Sequence, residues 1–133
     1  MRVLKNREKP FSFVKTYNKP TEVLTDHKLA ALGDAYINFV YSLALSEKKG
    51  QPSGAKVKGT ILAEAFKKAG LRRYMPSRIT SHILADAAEA LLVYAWLQKY
   101  ITLEECVAVL CKAEDVVEGF TQLLLMAKNK IMF

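Results

Sequence analysis

The chain has 133 residues, the length of one ordinary domain. With 51% hydrophobic and 25% charged residues it carries enough apolar material to fold, which excludes a disordered polyelectrolyte. Its net charge of +7 is concentrated in two segments. Residues 1–20 hold six Lys or Arg against Glu8, and residues 51–82 hold seven against Glu64, a distribution that suits a polyanionic partner.

The opening MRVLKNREKPFSF lacks the apolar core of a secretory signal. No uninterrupted apolar run reaches the ~18 residues of a membrane span. The sequence therefore predicts a cytoplasmic protein with no membrane association. Cys106 and Cys111 stand five apart in an apolar segment, which is neither a CxxC pair nor a good spacing on one helix face. They are expected to be two buried thiols.

In chain order, residues 1–20 contain Pro10, Pro20 and the aromatics Phe11, Phe13 and Tyr17, and are expected to form an irregular arm over the core. From Thr21 the pattern becomes helical. Leu29, Leu32, Tyr36, Phe39, Val40 and Leu43 recur at steps of three and four as far as about Lys48, with Thr21 or Thr25 as the cap. Gly50-Gln51-Pro52-Ser53-Gly54 breaks the helix. Ile61, Leu62, Ala65 and Phe66 mark a shorter helix closed by Gly70. A basic connector over residues 71–77 leads to a long helix at about 78–99. Thr102 and Glu105 form a capping box that opens the next helix. The last helix covers about 114–131, with Gly119 as a close packing point. No segment alternates like a strand. The prediction is an all-α bundle of about five or more helices in a single domain over residues 1–133.

Two of these helices carry charge among apolar neighbours. One reads Leu32-Gly33-Asp34-Ala35 and the other Leu84-Ala85-Asp86-Ala87-Ala88-Glu89. Asp86 and Glu89, three apart, share a helix face, as do Asp34 and Asn38, four apart. A desolvated carboxylate costs several kcal/mol unless it is paired, protonated, wet or bound to a cation. His82, four before Asp86, is a local partner, whereas Lys28 is too far along the helix to face Asp34. If the two helices face each other, Asp34, Asp86 and Glu89 form an all-oxygen set of the kind that holds Mg²⁺ or Mn²⁺. Such a site suits phosphodiester hydrolysis.

Leu32-Gly33-Asp34-Ala35 resembles the core of the ribonuclease III signature. Leu84 to Leu91 resembles the second acidic motif of that family. Ile61 to Tyr74 is similar to the helix and connector between the two. The resemblance covers about residues 24–112. It implies an all-α endonuclease domain that dimerises and cleaves double-stranded RNA with Mg²⁺, with Asp34, Asp86 and Glu89 at three of the family's four acidic positions. The fourth, a Glu four residues before the aspartate, falls at Ala30. A Phe that makes dimer contacts falls at Ala31, and an Asn-Glu pair falls at Asp26-His27. With 133 residues the chain is expected to carry no appended double-stranded RNA-binding domain.

These readings predict a Mg²⁺-dependent endoribonuclease acting on double-stranded or structured RNA. Its catalytic and metal residues would be Asp34, Asp86 and Glu89, with His27 beside the site. Lys56, Lys58, Arg72, Arg73 and Arg78 would contact RNA phosphates across an A-form groove. The alternative is a non-catalytic ribonuclease III-like dimer that binds RNA or a ribonucleoprotein, which Ala30 favours. A helical protein-interaction module without RNA is the third reading. The aromatics Tyr36, Phe39, Tyr41, Tyr94 and Trp96 are expected in the core or at dimer contacts. A homodimer is expected, with the small-residue faces Ala30-Ala31-Asp34-Ala35 and Ala85-Ala87-Ala88 allowing close helix approach.

Overall fold

The computed structural model describes residues 11–131; Arg2, Lys5, Arg7, Lys9 and the rest of the predicted arm up to Pro10 lie outside the described residues. Six α-helices are found among the described residues: α1 Pro20–Leu24, α2 His27–Lys49, α3 Gly59–Lys68, α4 Ser81–Leu97, α5 Leu103–Lys112 and α6 Val116–Ile131. There is no strand among these residues. A short 3₁₀ turn, Arg72–Tyr74, interrupts the basic connector.

Helix α4 organises the bundle. Eleven of its 17 residues are buried, because α1, α2, α3 and α6 all pack against it. A helix that is apolar nearly all round belongs inside. Thr80 caps it by accepting a hydrogen bond from the Ile83 backbone N–H (3.3 Å). This burial corrects the expectation that Ala85, Ala87 and Ala88 form a dimer surface: at 5%, 0% and 0% exposure they are inside the chain.

The predicted helix from Thr21 is two helices. Asp26, not Thr21 or Thr25, caps the longer one, accepting from the Leu29 N–H at 2.9 Å. The Thr25 hydroxyl donates back to the Thr21 carbonyl instead (2.6 Å). The predicted core stripe of α2 is also corrected. Leu29, Tyr36, Ile37, Val40 and Ala44 face the core, while Leu32 and Phe39 are 39% and 55% exposed. Helix α2 is long and apolar enough to cross a membrane by length and composition alone. Here its buried face packs on α4 and α5.

The glycine and capping expectations hold, whereas of the two expected buried thiols only Cys106 is buried. Gly50 ends α2 with φ +74°. Gly70, φ +76°, closes α3: its N–H donates to Lys67 O, and the Leu71 N–H to Phe66 O. Thr102 and Glu105 form the capping box of α5. Gly119 sits where an added Cβ would lie 2.8 Å from Leu110 Cδ2. Both cysteines are free; Cys106 is buried against the Tyr36 hydroxyl, and Cys111 is only half-buried. The described part of the arm lies on the core as expected. The Tyr17 N–H donates to the Tyr94 hydroxyl (3.1 Å), and the Tyr17 hydroxyl donates to Asp26. The Gln98 side chain donates to Lys15 O at 2.6 Å.

Candidate metal and nucleic-acid site

The two acid-bearing helices do face each other, and a glycine is the reason. Gly33 of α2 crosses α4 so closely that a Cβ there would lie 2.1 Å from the Glu89 carbonyl oxygen. Only a residue without a side chain permits that approach. It brings the residue after it, Asp34, over the face of α4 that carries Asp86 and Glu89.

All three carboxylates line one open cavity of about 400 Å³, together with His27, His82 and Ala30. Asp34 is exposed, and Asp86 and Glu89 are half-buried. Among the described residues no Lys or Arg lines this cavity. Asp86 is 3.7 Å from His82 Nε2, an ion pair when that imidazole is protonated. Asp34 accepts a hydrogen bond from the Asn38 side-chain amide at 3.1 Å.

Glu89 bears the cost of this arrangement. Burial pushes its carboxyl up to about 8, helped by a hydrogen bond to Asp34 and by the negative charges of Asp34 and Asp86. At neutral pH its carboxyl therefore favours the protonated form beside Asp34. Because the folded-state value is raised, the folded chain retains this proton after the unfolded chain has released it. The group's contribution to stability is therefore full below about pH 4.5 and is lost as pH rises towards about 8. Solvent screening of a half-buried carboxyl limits the loss to about 2 kcal/mol. Thermal unfolding in a chelator should show Tm falling across this window. Glu89→Gln should flatten the fall, and an unchanged slope in that variant would assign it to another group.

The donor set fits a hard divalent cation: three carboxyl groups supply oxygen donors, and among the described residues no Lys or Arg lines the cavity to compete for them. As they stand, no three His, Cys, Asp or Glu side chains among the described residues are gathered closely enough to grip one ion. Asp34 leans towards Asn38 and Asp86 towards His82.

The predicted basic residues separate into two groups. Lys56 and Lys58 are exposed on either side of Val57, which lines the acidic cavity. The segment carrying them is laced to α2 by polar side chains at four-residue spacing. Asn38 Oδ1 accepts from the Val57 N–H (2.8 Å). Ser42 Oγ donates to Ala55 O (3.0 Å) and accepts from its N–H (2.9 Å). Ser46 does the same with Ser53. Asn38 thus ties Asp34 and the lysine segment to one point. The roles of Ser42 and Ser46 escaped the sequence reading, although their i, i+4, i+8 register with Asn38 on an apolar helix is a readable signal.

The three arginines lie on the connector. Arg72 donates to Met75 O (3.4 Å) and Pro76 O (2.9 Å), so its guanidinium braces the connector. Arg73 lies over the Tyr74 ring, 5.1 Å from its centroid. Arg78 is exposed with φ +59°.

A family model described as Ribonuclease III matches residues 27–128, more than half of the chain. No curated protein matches it.

Proposed function

The chain belongs to the ribonuclease III family, and on that premise we propose that it is a Mg²⁺- or Mn²⁺-dependent endoribonuclease acting on double-stranded or structured RNA. The observation that carries this reading is the cavity in which Asp34, Asp86 and Glu89 meet. These three residues would hold the cation, which when bound supplies charge stabilisation and a nucleophile for phosphodiester hydrolysis. Binding requires Glu89 to release the proton it keeps in the metal-free cavity. Asn38 holds Asp34 in place through the 3.1 Å hydrogen bond. Lys56 and Lys58 at the cavity rim contact RNA phosphates, as do Arg73 and Arg78 further along. Arg72 acts by bracing the connector.

Ala30 and the dispersed carboxylates also support a second reading, a non-catalytic ribonuclease III-like dimer that binds RNA. Incubating duplex RNA with Mg²⁺ separates the two: cleavage by the wild-type chain supports the enzyme, and binding without cleavage supports the second reading.

The proposal includes a homodimer in the cytoplasm. With Ala85, Ala87 and Ala88 internal, the face available for self-association is the outer side of α2. There Ala31, Leu32, Ala35 and Phe39 are exposed and run towards a groove lined by Leu43, Leu103, Val107 and Cys111. A contiguous exposed apolar face of this kind is unusual on a monomer. Phe39→Glu should shift the light-scattering mass from dimer to monomer at micromolar concentration. A dimer that survives this substitution would locate the interface elsewhere.

A further inference from the structure

Beside the acidic cavity lies a second, smaller recess of about 190 Å³. Its lining is mostly apolar, with Leu24, Met75, Pro76, Ile79 and Ile83, and includes Thr25, Asp26 and His27 as polar members. It shares His27, Ala30 and Asp86 with the acidic cavity, so the two spaces adjoin. The outer wall is held firmly. Arg72 binds the carbonyls of Met75 and Pro76, and the Thr21 hydroxyl donates to the Tyr74 carbonyl at 3.4 Å.

Resting on the endoribonuclease reading, we propose that this recess receives one unpaired nucleobase next to the phosphate held in the acidic cavity. The recess offers aliphatic, prolyl and thioether surfaces for the faces of a flat ring. At its edge the Asp26 carboxylate accepts from the Tyr17 hydroxyl and from the Leu29 and Lys28 N–H groups, which leaves one of its roughly four acceptor sites for a further donor. A base edge bearing an N–H donor matches that site. A base stacked inside a duplex cannot enter, whereas one already unpaired incurs little cost to swing out. The substrate class is therefore a duplex interrupted by a bulged or mismatched base at the cleavage point.

The test compares two duplexes of equal length, one fully paired and one with a single bulged 2-aminopurine, with Ca²⁺ replacing Mg²⁺ so that the strands stay intact. The bulged duplex should bind about tenfold more tightly, in line with one base finding an apolar partner surface. Its 2-aminopurine fluorescence should change on binding. Ile83→Phe, which fills the recess from a half-buried position, should abolish the preference and the fluorescence change while leaving affinity for the paired duplex unaltered. If that variant does not fold, Ile79→Phe on the connector replaces it. Equal affinity for both duplexes, or a preference that survives a filled recess, overturns the base pocket alone. Failure to bind either duplex overturns the RNA reading itself and the pocket with it.

Discussion

Replacing Gly33 with alanine is expected to be the most damaging single-methyl change in the chain. The new Cβ would lie 2.1 Å from the Glu89 carbonyl oxygen, 2.5 Å from its carbonyl carbon and 3.0 Å from its Cβ. The first two are backbone atoms of the central helix, which cannot rotate aside. α2 and α4 would have to separate, loosening the packing of the two helices that carry the buried Ile37 and Val40 and the buried Ala85 and Leu92. Overpacking of this kind costs at least about 3 kcal/mol, or on the order of 10 °C in Tm for a domain of this size. The separation would also move Asp34 away from Glu89. Any folded fraction should therefore lose the raised Glu89 titration together with RNA cleavage. Gly119→Ala is the natural comparison. Its nearest contact, at 2.8 Å, is the end of the Leu110 side chain, which can turn away, so the expected cost is about 1 kcal/mol. Comparable Tm losses in the two variants would show that the α2–α4 crossing is not specially tight.

The second large effect concerns the carboxylates, and its sign depends on what is measured. Asp34→Asn and Glu89→Gln should each lower Mg²⁺-dependent cleavage of duplex RNA by on the order of 10³-fold, since each removes a charge from the proposed cation site. In a chelator at pH 8, Glu89→Gln should nevertheless raise Tm, because a neutral amide needs no deprotonation among two other acids. Loss of activity with gain of stability is the signature of a group retained for function. Cleavage that persists in both variants would place the chemistry elsewhere, and a lower Tm for Glu89→Gln would make Glu89 a structural residue.

Much of the fold was legible because its signals are local. The glycines at 50 and 70, the Thr102–Glu105 box and the break over 50–54 are chemical statements about a few neighbouring residues. The stripe on α2 was misread at Leu32 and Phe39 because apolar spacing does not reveal which residues meet the core and which stay exposed. The alanines of α4 were misassigned for a related reason: small residues allow close approach, but their sequence does not name the partner, which is the chain itself. In the site, the facing of Asp34, Asp86 and Glu89 was inferable from their misfit with apolar surroundings. The bond from Asn38 to Val57 was not, because it joins segments 19 residues apart. The recess at Ala30 needed three dimensions, since α1, α2, α4 and the connector each supply part of it.

The central claim is that Asp34, Asp86 and Glu89 form a divalent-cation site. Crystals soaked in Mn²⁺ test it most directly through anomalous diffraction. The account predicts a peak between the three carboxylates in the wild-type protein, lost in Glu89→Gln. Strong anomalous density elsewhere on the molecule with none between residues 34, 86 and 89 would contradict it.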